Sequence, residues 1–246
     1  MSLKMYFSHA RTLEWCAAVA AAARSTPAVG DGTVEVFVAP TFPALVPARD
    51  VLAGSGVALA AQDLATDDAG AFTGEVSGAE LAEIGTRLVE VGHAERRRLF
   101  GETDEVVARK TDAALRNGLA PVLCLGELQD GDPEEAARET IAQFDSAVRT
   151  AEQSGHGGRI VVAYEPVWAI GAAEPAGTDH IRAVCARLKE HVAARPAFAG
   201  SSVIYGGSAK PGLFGRLGDE VDGLFLGRFA HDPAAFAQIL AEAAAA

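Results

Sequence analysis

The sequence predicts an α/β fold of repeated βα units, with a parallel sheet either closed into a barrel or doubly wound. Short β-branched runs alternate with longer alanine-rich stretches of helical period along the whole chain. The 246 residues come close to the roughly 250 typical of a (β/α)8 barrel. No linker or low-complexity tract interrupts the alternation, so residues 1–246 read as one domain.

Taken in order, Ser2 to Phe7 is the only material for a strand ahead of the first helix, and it is short. Seven further strands are expected at Val34–Val38, Val57–Ala61, Arg87–Val91, Pro121–Leu125, Ile160–Tyr164, Val203–Tyr205 and Gly223–Leu226. Helices are expected at Thr12–Arg24, Ala44–Ala53, Ala79–Ile84, Thr103–Asn117, Pro133–Gln153, Thr178–Ala194, Lys210–Leu217 and Pro233–Ala245. Ser77 followed three residues later by Glu80 is a capping box that starts one of them. Seven strands against eight helices leaves a barrel one strand short unless the first few residues supply it.

Composition narrows the function. A net charge of −12 argues against a nucleic-acid partner. It also obliges any phosphate site to build a local positive potential from helix N-termini and one or two cations. No apolar run approaches the roughly 20 residues of a membrane span. Met1 to Arg11 lacks the layout of a signal peptide, so the expected location is the cytoplasm. Cys16, Cys124 and Cys185 are odd in number and widely spaced, which indicates neither a disulfide framework nor a metal site.

The chemistry concentrates at strand ends. Glu165 closes the Ile160–Tyr164 run and precedes Pro166-Val167-Trp168-Ala169-Ile170-Gly171, a segment built like a lid. A carboxylate beneath a closing loop is what proton abstraction beside a carbonyl requires, since excluding water raises its basicity. His93 follows a buried-looking strand and precedes a tight polar turn. His9, His156, His180, His191 and His231 stand in no recognisable constellation and read as structural or solvated. Tyr205-Gly206-Gly207-Ser208 and Gly223-Leu224-Phe225-Leu226-Gly227-Arg228 lie where barrels often place backbone N–H groups for phosphate, and no Walker-type motif accompanies them.

The string Ala163-Tyr164-Glu165-Pro166-Val167-Trp168-Ala169-Ile170-Gly171 resembles the signature of the triosephosphate isomerase family. Gly92-His93-Ala94-Glu95-Arg96-Arg97 is similar to that family's Gly-His-Ser-Glu-Arg-Arg, and Leu3-Lys4-Met5 resembles its Asn-Trp-Lys-Met. Ala61-Gln62-Asp63, Gly70 to Glu75, and Cys124-Leu125-Gly126-Glu127 match further family segments, in order and at matching separations. The resemblance selects the closed form, a (β/α)8 TIM barrel. A doubly wound nucleotide-binding sheet would need a Gly-x-Gly-x-x-Gly turn after its first strand, which is absent.

The resemblance implies cofactor-independent aldose–ketose isomerisation of a small phosphorylated sugar. Glu165 is implied as the base, His93 as a neutral electrophile kept uncharged by a following helix N-terminus, and Lys4 as the cation stabilising substrate and enediolate. Gly171, Ser208 and Gly227 are implied phosphate contacts. The loop at residues 63–78 is implied to insert into a second copy of the chain, with Thr73 supporting the neighbour's lysine, giving a homodimer.

The departures from the family cluster at the site. Ser2-Leu3 replaces Asn-Trp, Ala94 replaces a serine, and the lid reads Gly171-Ala172-Ala173-Glu174-Pro175 where Gly-Thr-Gly-Lys is usual. Losing a glycine and gaining a proline stiffens the hinge. Arg228 replaces the second glycine of a pair; it can clamp phosphate, reach a hydroxyl of a longer sugar, or form an outward salt bridge. The triose phosphates are the first expectation for substrate, and a four-carbon ketose phosphate is the alternative. A barrel without catalysis, serving as a scaffold, is the remaining one, prompted by the short first strand. The joint presence of Lys4, His93 and Glu165 speaks against it.

Overall fold

Seven parallel strands follow one another around a single sheet in sequence order: β1 Val36–Val38, β2 Val57–Ala61, β3 Leu88–Val91, β4 Ala120–Leu125, β5 Val161–Tyr164, β6 Ser202–Gly206 and β7 Gly223–Phe225. The computed structural model describes residues 1–172 and 174–246. Ala173, part of the expected lid, lies outside the described residues. The helices that carry the chain back between strands include α1 His9–Arg24, α2 Leu45–Leu52, α3 Gly78–Glu83, α4 Ala94–Phe100, α5 Asp104–Arg116, α6 Pro133–Ser154, α7 Thr178–Ala193 and α8 Pro233–Ala244. Among the described residues, no helix is long and apolar enough to cross a membrane.

The missing strand is a bridge. Ser2 pairs in parallel with Ala39, where Leu3 N–H donates to the Ala39 carbonyl at 3.0 Å and Ala39 N–H to the Met1 carbonyl at 2.9 Å. On the other side Ser2 N–H donates to the Leu226 carbonyl, past the end of β7, at 3.1 Å. Met1 to Leu3 therefore close the ring, and the fold is a (β/α)8 barrel whose first strand is reduced to one bridging residue. The expected strand over Ser2 to Phe7 stops at Leu3, because Lys4 takes a left-handed φ of 48° and turns the chain away.

The sheet is buried on both faces, as a parallel barrel requires. Inward-pointing Ala60, Leu88, Val122, Ala163, Ile204 and Phe225 fill the barrel. The alternate residues, such as Val89, Leu123, Val162 and Val203, pack outward against Val107, Phe144, Ile181 and Ile239 of the helices.

Two helices differ from expectation. Lys210–Leu217 is not an α-helix but leads into short 3-10 turns at Phe214–Arg216 and Gly218–Glu220. Pro211 and Gly212, the latter at φ 83°, and Gly218 at φ 64° break the helical run. Conversely α4 was expected only as a turn with a helix N-terminus implied by resemblance. It buries none of its residues, so it carries no apolar stripe by which a helix is recognised in sequence.

Candidate active site

The C-terminal ends of the strands surround a cavity of about 770 Å³, lined among others by Ser2, Lys4, His93, Glu165, Ser208 and Arg228. The three residues expected to act on the substrate thus come from three separate segments of the ring.

Glu165 directly follows β5 and is held from both sides. Its N–H donates to the Leu125 carbonyl at the end of β4 at 2.7 Å. Gly126 lets the two chains approach this closely, since a side chain there would run into the Glu165 backbone. Gly206, ending β6, leaves room for the carboxylate arm: a Cβ there would fall 2.6 Å from Glu165 Cγ. The result is a carboxylate 7% exposed whose Oε2 has no hydrogen-bond partner. The neighbouring Cys124 thiol is pushed well up by burial and by the Glu165 charge, so it stays a neutral thiol.

His93 leaves β3 and caps α4. Its Nδ1 accepts the Glu95 backbone N–H at 3.1 Å. An Nδ1 that accepts cannot carry a proton, so in the neutral ring the proton sits on Nε2 and points into the cavity. That Nε2 lies 3.7 Å from Glu165 Oε2.

Lys4 reaches the cavity because its left-handed backbone is pinned. Gln62 Nε2 donates to the Lys4 carbonyl at 3.0 Å and to the Ala39 carbonyl at 2.9 Å. Its Nζ pairs with Glu95 Oε1 at 2.9 Å. Burial opposes the lysine charge, but the hydrogen bond and charge of Glu95, aided by Glu165 and Glu90, raise it above the ordinary lysine value. Glu95, to which the motif alone gives no role, connects Lys4 to the turn that orients His93.

The lid base is tied down by a cluster that sequence reasoning did not assemble. Glu127 Oε1 accepts from Trp168 Nε1 at 2.8 Å and from the Tyr164 hydroxyl at 3.1 Å, with His180 Nε2 at 3.2 Å. His180 therefore belongs to the lid's support. Tyr205 accepts the Ala176 N–H at 3.1 Å, and Ser208 Oγ donates to the Ala172 carbonyl at 2.6 Å. The Ser208 hydroxyl is thereby committed to the lid.

Gly171 at φ 74° lies beside Arg228, whose Nη2 would sit 3.7 Å from a Cβ on Gly171. Arg228 has no ion-pair partner among the described residues, which removes the outward salt bridge; its side chain borders the cavity. Gly227 borders the same cavity. Thr73 is elsewhere, exposed on the loop beyond β2 beside the half-exposed Phe72. That loop is closed at its neck by Ala65 N–H to the Val76 carbonyl at 2.8 Å and held by Arg116 on Asp68 at 3.0 Å.

A family model described as triosephosphate isomerase matches residues 1–243. The L-erythrulose-1-phosphate isomerase of Pectobacterium atrosepticum is 53% identical over 99% of this chain and 94% of its own length. The triosephosphate isomerase of Alkalilimnicola ehrlichii is 41% identical over 89% and 90%. The L-erythrulose-1-phosphate isomerase of Rhizobium etli is 39% identical over 98% and 91%. A barrel with this strand-end constellation, matched by the family along nearly its whole length, makes the chain an isomerase of the triosephosphate isomerase family.

Proposed function

We propose that the chain isomerises a four-carbon ketose phosphate by proton transfer through an enediolate, without a cofactor. The observation that carries this is the 53% identity to a protein named L-erythrulose-1-phosphate isomerase, against 41% for the triosephosphate isomerase above. The triose phosphates, expected first from the motifs, give way to the alternative on this ground.

Erythrulose 1-phosphate has its carbonyl at C2, between the phosphorylated C1 and the hydroxylated C3. Glu165 takes the proton from C3, and His93 Nε2–H with the Lys4 ammonium stabilises the oxygen charge of the enediolate. Return of the proton to C2 leaves the carbonyl at C3, so the product is a ketose phosphate of the same composition. Gly171, Ser208 and Gly227 supply backbone N–H groups to the phosphate, and the Arg228 guanidinium at the rim adds a cation to an acidic protein. The exposed loop carrying Phe72 and Thr73 joins two chains in a homodimer, which sedimentation of the purified protein tests.

Steady-state kcat/KM for erythrulose 1-phosphate and glyceraldehyde 3-phosphate, measured on one preparation, tests the substrate. The expected result is a preference for the four-carbon sugar; a strong triose preference overturns it. Absence of solvent deuterium from the carbon-bound positions of both sugars would instead favour a barrel without catalysis.

A further inference from the structure

Two buried polar atoms near the site have nothing to bond. Ser2 lines the cavity and is 3% exposed, yet its Oγ has no hydrogen-bond partner. Glu90 is 3% exposed, and its Oε1 also lacks one. Leaving such groups unpaired is costly, so they call for a ligand or another explanation.

Topology brings the two together. Glu90 points inward, because Val89 and Val91 on either side of it face the helices while Leu88 faces the barrel interior. Ser2 is the residue that closes the ring, and its hydroxyl lies near enough to the Glu90 carboxyl to favour the ionised form, although the two do not reach hydrogen-bond geometry and each remains without a partner. Glu165 and Lys4 are close enough for their charges to act on Glu90. Ser2 also occupies the place of an asparagine in the family pattern. The shorter side chain leaves space there and keeps a hydroxyl in it.

The four-carbon reading, on which this inference rests, gives that space an occupant. Relative to the triose, the substrate carries one extra hydroxymethyl group, attached to the carbon that gives its proton to Glu165. With the reacting carbon at Glu165, the added group is the part of the substrate left to reach Ser2 on the cavity wall. We infer that Ser2 and Glu90 form a polar recess for the terminal hydroxymethyl group of a four-carbon substrate, and that they determine specificity for it. Burial, and then the nearby Glu165 charge, push the Glu90 carboxyl up to about 8 against the opposing Ser2 hydroxyl, so at neutral pH it offers an O–H donor. The Ser2 hydroxyl both donates and accepts. A sugar hydroxyl can satisfy the two together, whereas a triose leaves both unpaired, the kind of mismatch by which sites reject analogues.

The test compares erythrulose 1-phosphate with its 4-deoxy analogue on the full chain, as wild type, Ser2→Ala and Glu90→Gln. Wild type should lose at least about tenfold in kcat/KM when the terminal hydroxyl is removed. Each substitution should shrink that ratio by about an order of magnitude, and because both sugars are read on one preparation, partly unfolded protein does not alter it. Equal turnover of the parent and the 4-deoxy sugar by wild type overturns the recess, whether or not the variants fold. An unchanged ratio in both variants also overturns it and leaves the pair a structural role. Turnover of glyceraldehyde 3-phosphate with none of either four-carbon sugar defeats the four-carbon reading itself.

Discussion

His93 Nε2 stands 3.7 Å from Glu165 Oε2, and neither atom has a hydrogen-bond partner. A ring nitrogen that carries a proton and a carboxylate oxygen that lacks one would ordinarily close to about 2.8 Å. Here each is fixed by its own backbone: His93 by Glu95 N–H on Nδ1, and Glu165 by Leu125 and the space above Gly206. The two are held apart without bonding, yet too close for an atom between them, so on the proposed mechanism a substrate's carbonyl and adjacent carbon meet both from the cavity side.

Glu165→Gln keeps the shape and removes the base. On the proposed mechanism, kcat falls by about 10²–10⁴-fold, the usual worth of a positioned general base. Calorimetric titration with 2-phosphoglycolate should give a dissociation constant within a few-fold of wild type. Equal loss of turnover and of ligand binding would make Glu165 structural.

The contrast between Glu165 and Glu90 shows what was readable in the sequence. Glu165 sits in a nine-residue string whose every neighbour has a local job, so its place at a strand end was evident from order alone. Glu90 interrupts the apolar run Leu88-Val89-Glu90-Val91, and period-2 alternation would have placed it facing inward. That alternation is the local signal that marks Glu90 as inward-facing. The barrel was legible from the βα alternation, but its closure was not, because a one-residue bridge at Ser2 leaves no pattern. The Glu127, Tyr164, Trp168 and His180 cluster joins residues up to 53 positions apart, and no local pattern encodes such a meeting.

Gly206→Ala tests how strictly Glu165 is placed. The added Cβ meets Glu165 Cγ at 2.6 Å, so the carboxylate arm must swing away. A displacement of about 1 Å at a reacting group costs on the order of 10²-fold in rate. The expected outcome is a kcat loss of that order, with a fall in stability of about 1–3 kcal/mol by urea denaturation. Full activity would mean that the site accommodates the methyl elsewhere.

Glu95→Gln should move the alkaline limb of activity. Burial works against the Lys4 charge, and Glu95 is the main group that overcomes it. With Glu95 neutral, the ammonium loses its proton at lower pH than in wild type. The kcat/KM profile from pH 7 to 11 should therefore fall earlier on its alkaline side. A limb that does not move would remove Lys4 ionisation as its origin.

Glu90 makes the stability of the fold depend on pH in a direction opposite to that of an ion-paired carboxylate. Burial first, and the Glu165 charge after it, raise it from the ordinary 4.5 to about 8; the Ser2 hydroxyl most, and then the Met1 amine and Lys4, oppose the shift. A group with a raised folded value contributes its full stability below the unfolded value and loses it as pH climbs toward the folded one. Between about pH 4.5 and 8 the unfolded chain has released this proton while the folded chain retains it. The loss between pH 4.5 and 7 is on the order of 3 kcal/mol at roughly 1.4 kcal/mol per pH unit. Glu90→Gln has no such proton, and all other titrating groups are common to both proteins. Urea denaturation at pH 5, 7 and 9 should show wild type losing ground to Glu90→Gln from 5 to about 8 and holding level beyond it. A constant difference across that range would mean that the folded Glu90 carboxyl titrates at its ordinary value, and the recess would then present a carboxylate instead of an O–H donor at neutral pH.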